Sequence, residues 1–157
     1  MKTVCNFVVC ILSVCCLILL NGATCDEDTH CQQELKQFHK NSELGMVGGR
    51  MPVCDSEGKY APKQCSGSQC YCVKEDGKQI EDFGVNRWEA EQQTCKCARS
   101  QAEYQDTGMM GKSFRCTADG SYEEIQCTGS QCYCADEDGQ QIGSDSVHIV
   151  YLDKLNC

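Results

Sequence analysis

The sequence is short of the residues from which most enzymes and membrane proteins are built. Its 157 residues include two prolines, one tryptophan (Trp88), three histidines, and aromatics amounting to only 7%. No long apolar run follows residue 20, so nothing later in the chain reads as a membrane span. No stripe of Lys or Arg exists and the formal charge is −9, which argues against nucleic acid, heparin and anionic membrane as partners. His30, His39 and His148 read as exposed, and they assemble no Cys–His or Ser–His–Asp set. Acidic neighbours such as Glu123 and Glu124 lie in polar runs and read as a solvated face. No Asn-x-Ser/Thr acceptor occurs. Neither an enzyme nor a cofactor is expected.

Cysteine, in contrast, is abundant, with 17 copies. Cys5, Cys10, Cys15 and Cys16 fall in an apolar N-terminal stretch that runs from Phe7 to Leu20 behind Lys2. That stretch is too short for a comfortable membrane span and reads as a secretory signal peptide. Cleavage after Cys25 leaves an even set of cysteines. Cleavage after Ala23 leaves Cys25 over, free or paired between chains. The expectation is a signal peptide over 1–25, a mature start at Asp26, an extension over 26–30, and a secreted, extracellular monomer. In such a chain Cys70-x-Cys72 and Cys132-x-Cys134 read as disulfide partners rather than as zinc or other metal ligands.

The remaining cysteines reveal a duplication. Cys65-Ser66-Gly67-Ser68-Gln69-Cys70-Tyr71-Cys72 recurs 62 residues later as Cys127-Thr128-Gly129-Ser130-Gln131-Cys132-Tyr133-Cys134. Six cysteines fall in 31–95 and six in 97–157, with Lys96 alone between the units. Spacings agree from the second cysteine of each unit onward. The first spacing is four residues longer in the first unit, which marks an exposed variable segment. Thr29 and Gln32 resemble a capping box ahead of Cys31, Leu35 and Phe38 at i, i+4, i+7, so each unit opens with a short helix, stopping near Asn41 and near Gly108. Glu75-Asp76-Gly77 and Glu137-Asp138-Gly139 read as hairpin turns after the Cys-Tyr-Cys strands.

Units of about 60 residues bury too little surface to be stable alone, so disulfides must contribute, at about 2–4 kcal/mol each. The first unit has eight basic and ten acidic residues, a formal −2; the second has four and ten, a formal −6. The second unit's acidity reads as solubility or as a face for a cationic partner. Because each unit holds an even set of six cysteines, two separately folding halves are expected, with few contacts crossing apart from a shared apolar patch.

The pattern Cys54-Asp55-Ser56-Glu57-Gly58-Lys59-Tyr60, Gln64-Cys65, Cys70-Tyr71-Cys72-Val73, Gly77 and Cys95 resembles the thyroglobulin type-1 repeat. The second unit matches through Cys116, Gly120, Tyr122, Gln126-Cys127, Cys132-Tyr133-Cys134, Gly139 and Cys157. The resemblance implies a small disulfide-rich fold: two tandem domains, each a short N-terminal helix with short β-hairpins and loops stapled by three disulfides. Spacing alone leaves 15 connectivities per unit. The family's pairing implies Cys31–Cys54, Cys65–Cys70, Cys72–Cys95, Cys97–Cys116, Cys127–Cys132 and Cys134–Cys157. Two departures stand out. Tyr71 and Tyr133 occupy positions where the family usually has Trp. The loop between the third and fourth cysteines holds only four residues in each unit.

Inhibitory members of that family, the thyropins, are similar to wedges whose loops enter the cleft of papain-like cysteine proteases. The resemblance then implies an extracellular or lysosomal-type protease as partner. It implies binding loops at Leu44-Gly45-Met46-Val47-Gly48-Gly49-Arg50-Met51, at Ser66-Gly67-Ser68-Gln69, and at Gly108-Met109-Met110-Gly111-Lys112-Ser113-Phe114. Glycine permits close backbone approach to a cleft wall, and Met adapts to irregular apolar pockets. Alternatively, these glycines only reverse the chain and the methionines pack inward. The first unit is expected to carry the inhibition: it is nearly neutral, and its longer variable segment lets its wedge reach further. The rival reading is a non-inhibitory binding module, since such repeats also occur in matrix, adhesion and growth-factor-binding proteins. Small tandem forms also resemble secreted arthropod proteins, including venom toxins of spiders.

Overall fold

The computed structural model describes residues 27–157; the expected signal peptide and the expected start at Asp26 fall outside the described residues. Each unit is a helix laid beside a small antiparallel sheet. Helix α1 spans His30–Glu43, and Thr29 caps it through a complete capping box with Gln32. Strands β1 (Lys63–Ser66), β2 (Gln69–Val73) and β3 (Gln79–Asn86) form a sheet in that order. Helix α2 spans Lys96–Asp106. The second sheet has four strands in the order β4 (Lys112–Ser113), β5 (Ile125–Thr128), β6 (Gln131–Ala135) and β7 (Gln141–His148), followed by a 3₁₀ turn over Ile149–Lys154. No helix among the described residues is long and apolar enough to cross a membrane.

The disulfides join Cys31 to Cys54, Cys65 to Cys70, Cys72 to Cys95, Cys97 to Cys116, Cys127 to Cys132 and Cys134 to Cys157. They occupy the space that large aliphatic side chains fill in a bigger domain. One cluster holds Cys31, Tyr60 and Val73, with Cys54 and Tyr71 packed against it. Tyr71 thus lies against the bridge, where its ring is half-buried and its hydroxyl keeps a polar partner, as a tyrosine in a partly apolar setting requires. The Gly-x-Tyr motif has a matching logic. Tyr60 and Tyr122 lie over the hairpin-turn glycines Gly77 and Gly139, where an added Cβ would stand 2.8 and 2.5 Å from the rings, and both glycines have positive φ. Gln64 and Gln126, both buried, bridge backbone to backbone. The Gln64 side chain accepts from Val53 N and donates to Val53 O and Ala61 O; Gln126 repeats this with Arg115 and Glu123. The Gln-Cys motif is therefore a hydrogen-bonding device, since a buried amide must find partners.

The two units share more than a patch. Cys95 takes a left-handed conformation (φ 60°) and turns the chain straight into α2. Small residues on that helix, Ala98 and Ala102, are buried, and Ala98 joins Cys72, Cys95, Ile80 and Phe83 in one cluster spanning both units. Gly120 of the second unit passes so close to the first that an added Cβ would stand 2.7 Å from the Cys72 sulfur. The buried Arg99 donates to Val73 O at 2.8 Å and to Tyr60 O at 2.6 Å, both in the first unit. Gln93 donates to Asp119 O and Thr94 N donates to Ser121 Oγ. Lys74–Asp106 is an ion pair across the same seam, and Lys96 of the linker pairs with Asp138. The expectation of few crossing contacts is thus corrected. A one-residue linker forces the helix onto its neighbour's sheet, and alanines let it lie close.

Candidate protease-binding edge

The first unit's variable segment leaves α1 through three backbone bonds, from Leu44 N to Lys40 O, Gly45 N to Ser42 O and Met46 N to Asn41 O. Gly45 and Gly48 have positive φ, which glycine adopts without strain. Gly49 then passes the Phe38 ring, where an added Cβ would stand 3.5 Å from it. Between these points the side chains face solvent: Val47 is 97% exposed, and Leu44, Met46 and Met51 are at least half exposed. The methionines do not pack inward, and neither do Met109 and Met110 of the second unit, the latter 93% exposed. Pro52 is buried just before Cys54 and anchors the segment's far end.

Arg50 latches the segment to the body. Its guanidinium donates to Glu34 Oε1 at 3.0 Å and Oε2 at 3.3 Å, and to the Tyr71 hydroxyl at 2.8 Å. The Tyr60 hydroxyl also donates to Glu34. Burial pushes the Glu34 carboxyl up, but the bonds it accepts from Tyr60 and Arg50 outweigh this and hold it below its ordinary value. Burial and the bond to Glu34 push the Tyr60 phenol up to about 12. A carboxyl whose folded pKa is depressed contributes stability that is present above its unfolded value, near 4.5, and lost as pH falls through the lower folded value. The latch therefore holds in mildly acidic surroundings. Glu34→Gln is expected to lower stability at pH 5–7 and to make no difference at strongly acidic pH. Denaturation of both chains across pH checks this; a pH-independent difference sinks it.

The second unit lacks this device. Ser100 stands at the Glu34 position and Lys112 at the Arg50 position. Its loop is fixed instead by pairing as β4: Lys112 faces Thr128 and Ser113 faces Cys127. The Lys112 amide donates to the Tyr104 hydroxyl, and the Lys112 ammonium lies over Phe114 at 4.7 Å. The first unit's four extra residues do not give it a longer reach. Three of them lengthen the helix, 14 residues in α1 against 11 in α2, because the polar run past Asn41 continues to Glu43.

The hairpin between β1 and β2 closes with Ser66 opposite Gln69 and Cys65 opposite Cys70, a two-residue turn with Gly67 at φ 56°. Its four residues are exposed. The turn is short but braced: Arg87 donates through its backbone to Ser68 O at 2.8 Å and through Nε to Gly67 O at 2.9 Å. Gly49, Arg50 and Met51 lie across one groove from Gly67, so the structure brings these parts of the two loops together. Leu44, Gly45, Met46, Val47 and Gly48 are not among the groove's lining residues. Gly108, Met109, Met110 and Gly111 form a separate exposed loop on the second unit.

Sequence reasoning gave no role to Trp88, which is 72% exposed one residue beyond the Arg87 brace. An exposed tryptophan is an unusual outlay of apolar surface and a frequent interaction anchor. Its signal was present in the sequence: it is the chain's one Trp, in a polar stretch, where the second unit has Val150. The histidines are exposed; His30 Nδ1 lies 2.8 Å from the Tyr60 hydroxyl. Among the described residues no group of three or more His, Cys, Asp or Glu is placed to hold a metal ion.

Comparison with known proteins agrees with the duplicated fold. The sequence profile of the thyroglobulin type-1 repeat matches residues 25–93 and again 89–149. Rat (Rattus norvegicus) thyroglobulin is 36% identical over 98 residues, 59% of this chain and 4% of that protein. Equistatin from Actinia equina is 32% identical over 102 residues, 60% of this chain and 44% of that protein. U20-hexatoxin-Hi1a from Hadronyche infensa is 29% identical over 144 residues, 88% of this chain and 91% of the toxin. The chain therefore spans a small part of thyroglobulin, less than half of equistatin and most of the hexatoxin.

Proposed function

We propose that this chain, which belongs to the thyroglobulin type-1 repeat family and carries two tandem repeats, is a secreted inhibitor of papain-like, cathepsin L-type cysteine proteases. Membership ties it at family level to the thyropins. The repeats are assigned to residues 31–95 and 97–157. Inhibition is by occlusion: residues 44–51 and 66–69 enter the active-site cleft as a non-catalytic wedge, and 108–112 form the second unit's weaker counterpart. A full-length likeness to a hexatoxin favours venom as one source of such a chain.

The observation that carries this reading is the state of residues 44–51. They present Met46 and Val47 to solvent while Arg50 and Pro52 tie their far end to the body. An exposed apolar loop that is already ordered loses little entropy on binding, so its burial converts efficiently into affinity. The first unit has this latch and the second does not, which favours the first as the principal binder.

Titration of papain-like and cathepsin L-like enzymes with the oxidised chain tests the reading. Reversible inhibition that competes with substrate is expected. Should several such enzymes remain fully active at micromolar inhibitor, the chain is a binding module of another kind.

A further inference from the structure

We propose that the groove between residues 49–51 and the β1–β2 turn receives an acidic, apolar-flanked segment at the rim of the bound protease. The groove thereby selects proteases whose cleft is edged by carboxylates. This inference rests on the inhibitor reading above and deepens it.

The groove has an apolar floor from Met51, Val53, Ala61 and Pro62. Its charged lining residues are Arg50, Lys63, Arg87 and Lys96, and no acidic residue lines it. That is unexpected in a chain where 23 acidic residues face 14 basic ones. Two of the four cations are already neutralised, Arg50 by Glu34 and Lys96 by Asp138. The other two are not. Lys63 Nζ donates to Ala90 O at 2.9 Å and Arg87 Nε to Gly67 O at 2.9 Å, and among the described residues neither makes an ion pair. Each carbonyl takes one donor and leaves the charge uncompensated.

The second unit supplies an internal control. At aligned positions Lys63 becomes Ile125 and Arg87 becomes Ile149, while Ala61 and Pro62 become Glu123 and Glu124. With Lys112 at the Arg50 position and Arg115 at the Val53 position, where it pairs with Glu123, the counterpart surface is formally neutral, so the fold does not require a net cationic groove. Charge complementarity across an interface chiefly raises the association rate and excludes wrong partners. A patch that is cationic only beside the first unit's binding loops steers an acidic rim onto those loops and not onto their counterparts.

The test compares the full oxidised chain with Lys63→Glu/Arg87→Glu and with the neutral Lys63→Met/Arg87→Leu, using the rate of onset of inhibition of an active papain-like enzyme that the unaltered chain inhibits, across salt concentrations. At low salt the charge-reversed chain is expected to associate at least tenfold more slowly, with the neutral variant intermediate. The rate for the unaltered chain should fall steeply with salt and that of the reversed chain should not. If the reversed chain fails to form its disulfides, the neutral variant decides by the same salt slope. Equal rates at every salt concentration overturn the groove assignment while leaving the inhibitor reading in place. An unaltered chain that inhibits no papain-like enzyme overturns both.

Discussion

Replacing Met46 and Val47 together by Asp in the full oxidised chain is expected to weaken inhibition by about 2–4 kcal/mol, roughly thirty- to several-hundred-fold. Both side chains face water in the free protein, so two added carboxylates meet no penalty there and the fold is expected to be unaffected. In the complex the same positions are to lie against an apolar cleft wall, where each charge loses its water without gaining a partner. The paired change Met109→Asp/Met110→Asp in the second unit should cost far less, because that loop lacks the Arg50–Glu34 latch. Inhibition constants for both variants, with circular dichroism and disulfide mapping as fold controls, decide the matter. Equal losses from the two pairs contradict the assignment of the first unit as principal binder, and no loss from the first contradicts the loop assignment itself.

The other large effect concerns the seam between the units. Arg99→Ala is expected to destabilise the oxidised protein by about 2–4 kcal/mol. Arg99 donates to buried backbone of the neighbouring unit, and both of its acceptors, Val73 O and Tyr60 O, belong to residues of the first unit's core. Removing it leaves those carbonyls without that donor and opens a gap beneath α2. The Glu103 carboxyl nearby is already pushed up by burial and by Glu75, and loses its compensating cation as well. Urea unfolding with the disulfides intact measures the change. An unaltered midpoint would mean that the units are joined only by the covalent chain and that the crossing contacts carry no stability. For the same reason the separated halves are expected to refold less well than the whole, since cutting at Lys96 exposes the Cys72–Cys95 bridge together with Phe83 and Ala98.

Much of the proposed binding edge could be read from residues because it is made of exposed loops between covalent fixed points. Cys54 and the helix capping box bound the first variable segment, and Gly-Met-Val-Gly inside it cannot be a helix interior. Its accessibility therefore follows locally. The latch could not be read. Glu34, Arg50, Tyr60 and Tyr71 are separated by 10 to 37 residues in the chain, and only the helix and sheet packing together place their polar atoms within bonding distance. The reach of the segment was misread for a related reason. Loop length was inferred from cysteine spacing, but a polar sequence past Asn41 continues the helix as readily as it starts a loop, and propensity alone does not choose between them.

The cysteine periodicity by itself determined that this protein is a duplicated, disulfide-framed unit, with a helix before each second cysteine and a hairpin around each Cys-Tyr-Cys strand. Covalent spacing and turn residues are local constraints, so they survive without knowledge of the rest of the chain. Only the tertiary structure decided how the copies sit. That the Cys72–Cys95 bridge of one unit forms the bed for Ala98 and Gly120 of the next depends on small side chains meeting across a contact that no spacing encodes. The groove beside the proposed binding loops depends likewise on Lys63 of β1 and Arg87, in the turn just after β3, converging. A charge's sign is written in the sequence, but whether a carboxylate stands near enough to cancel it is settled by packing.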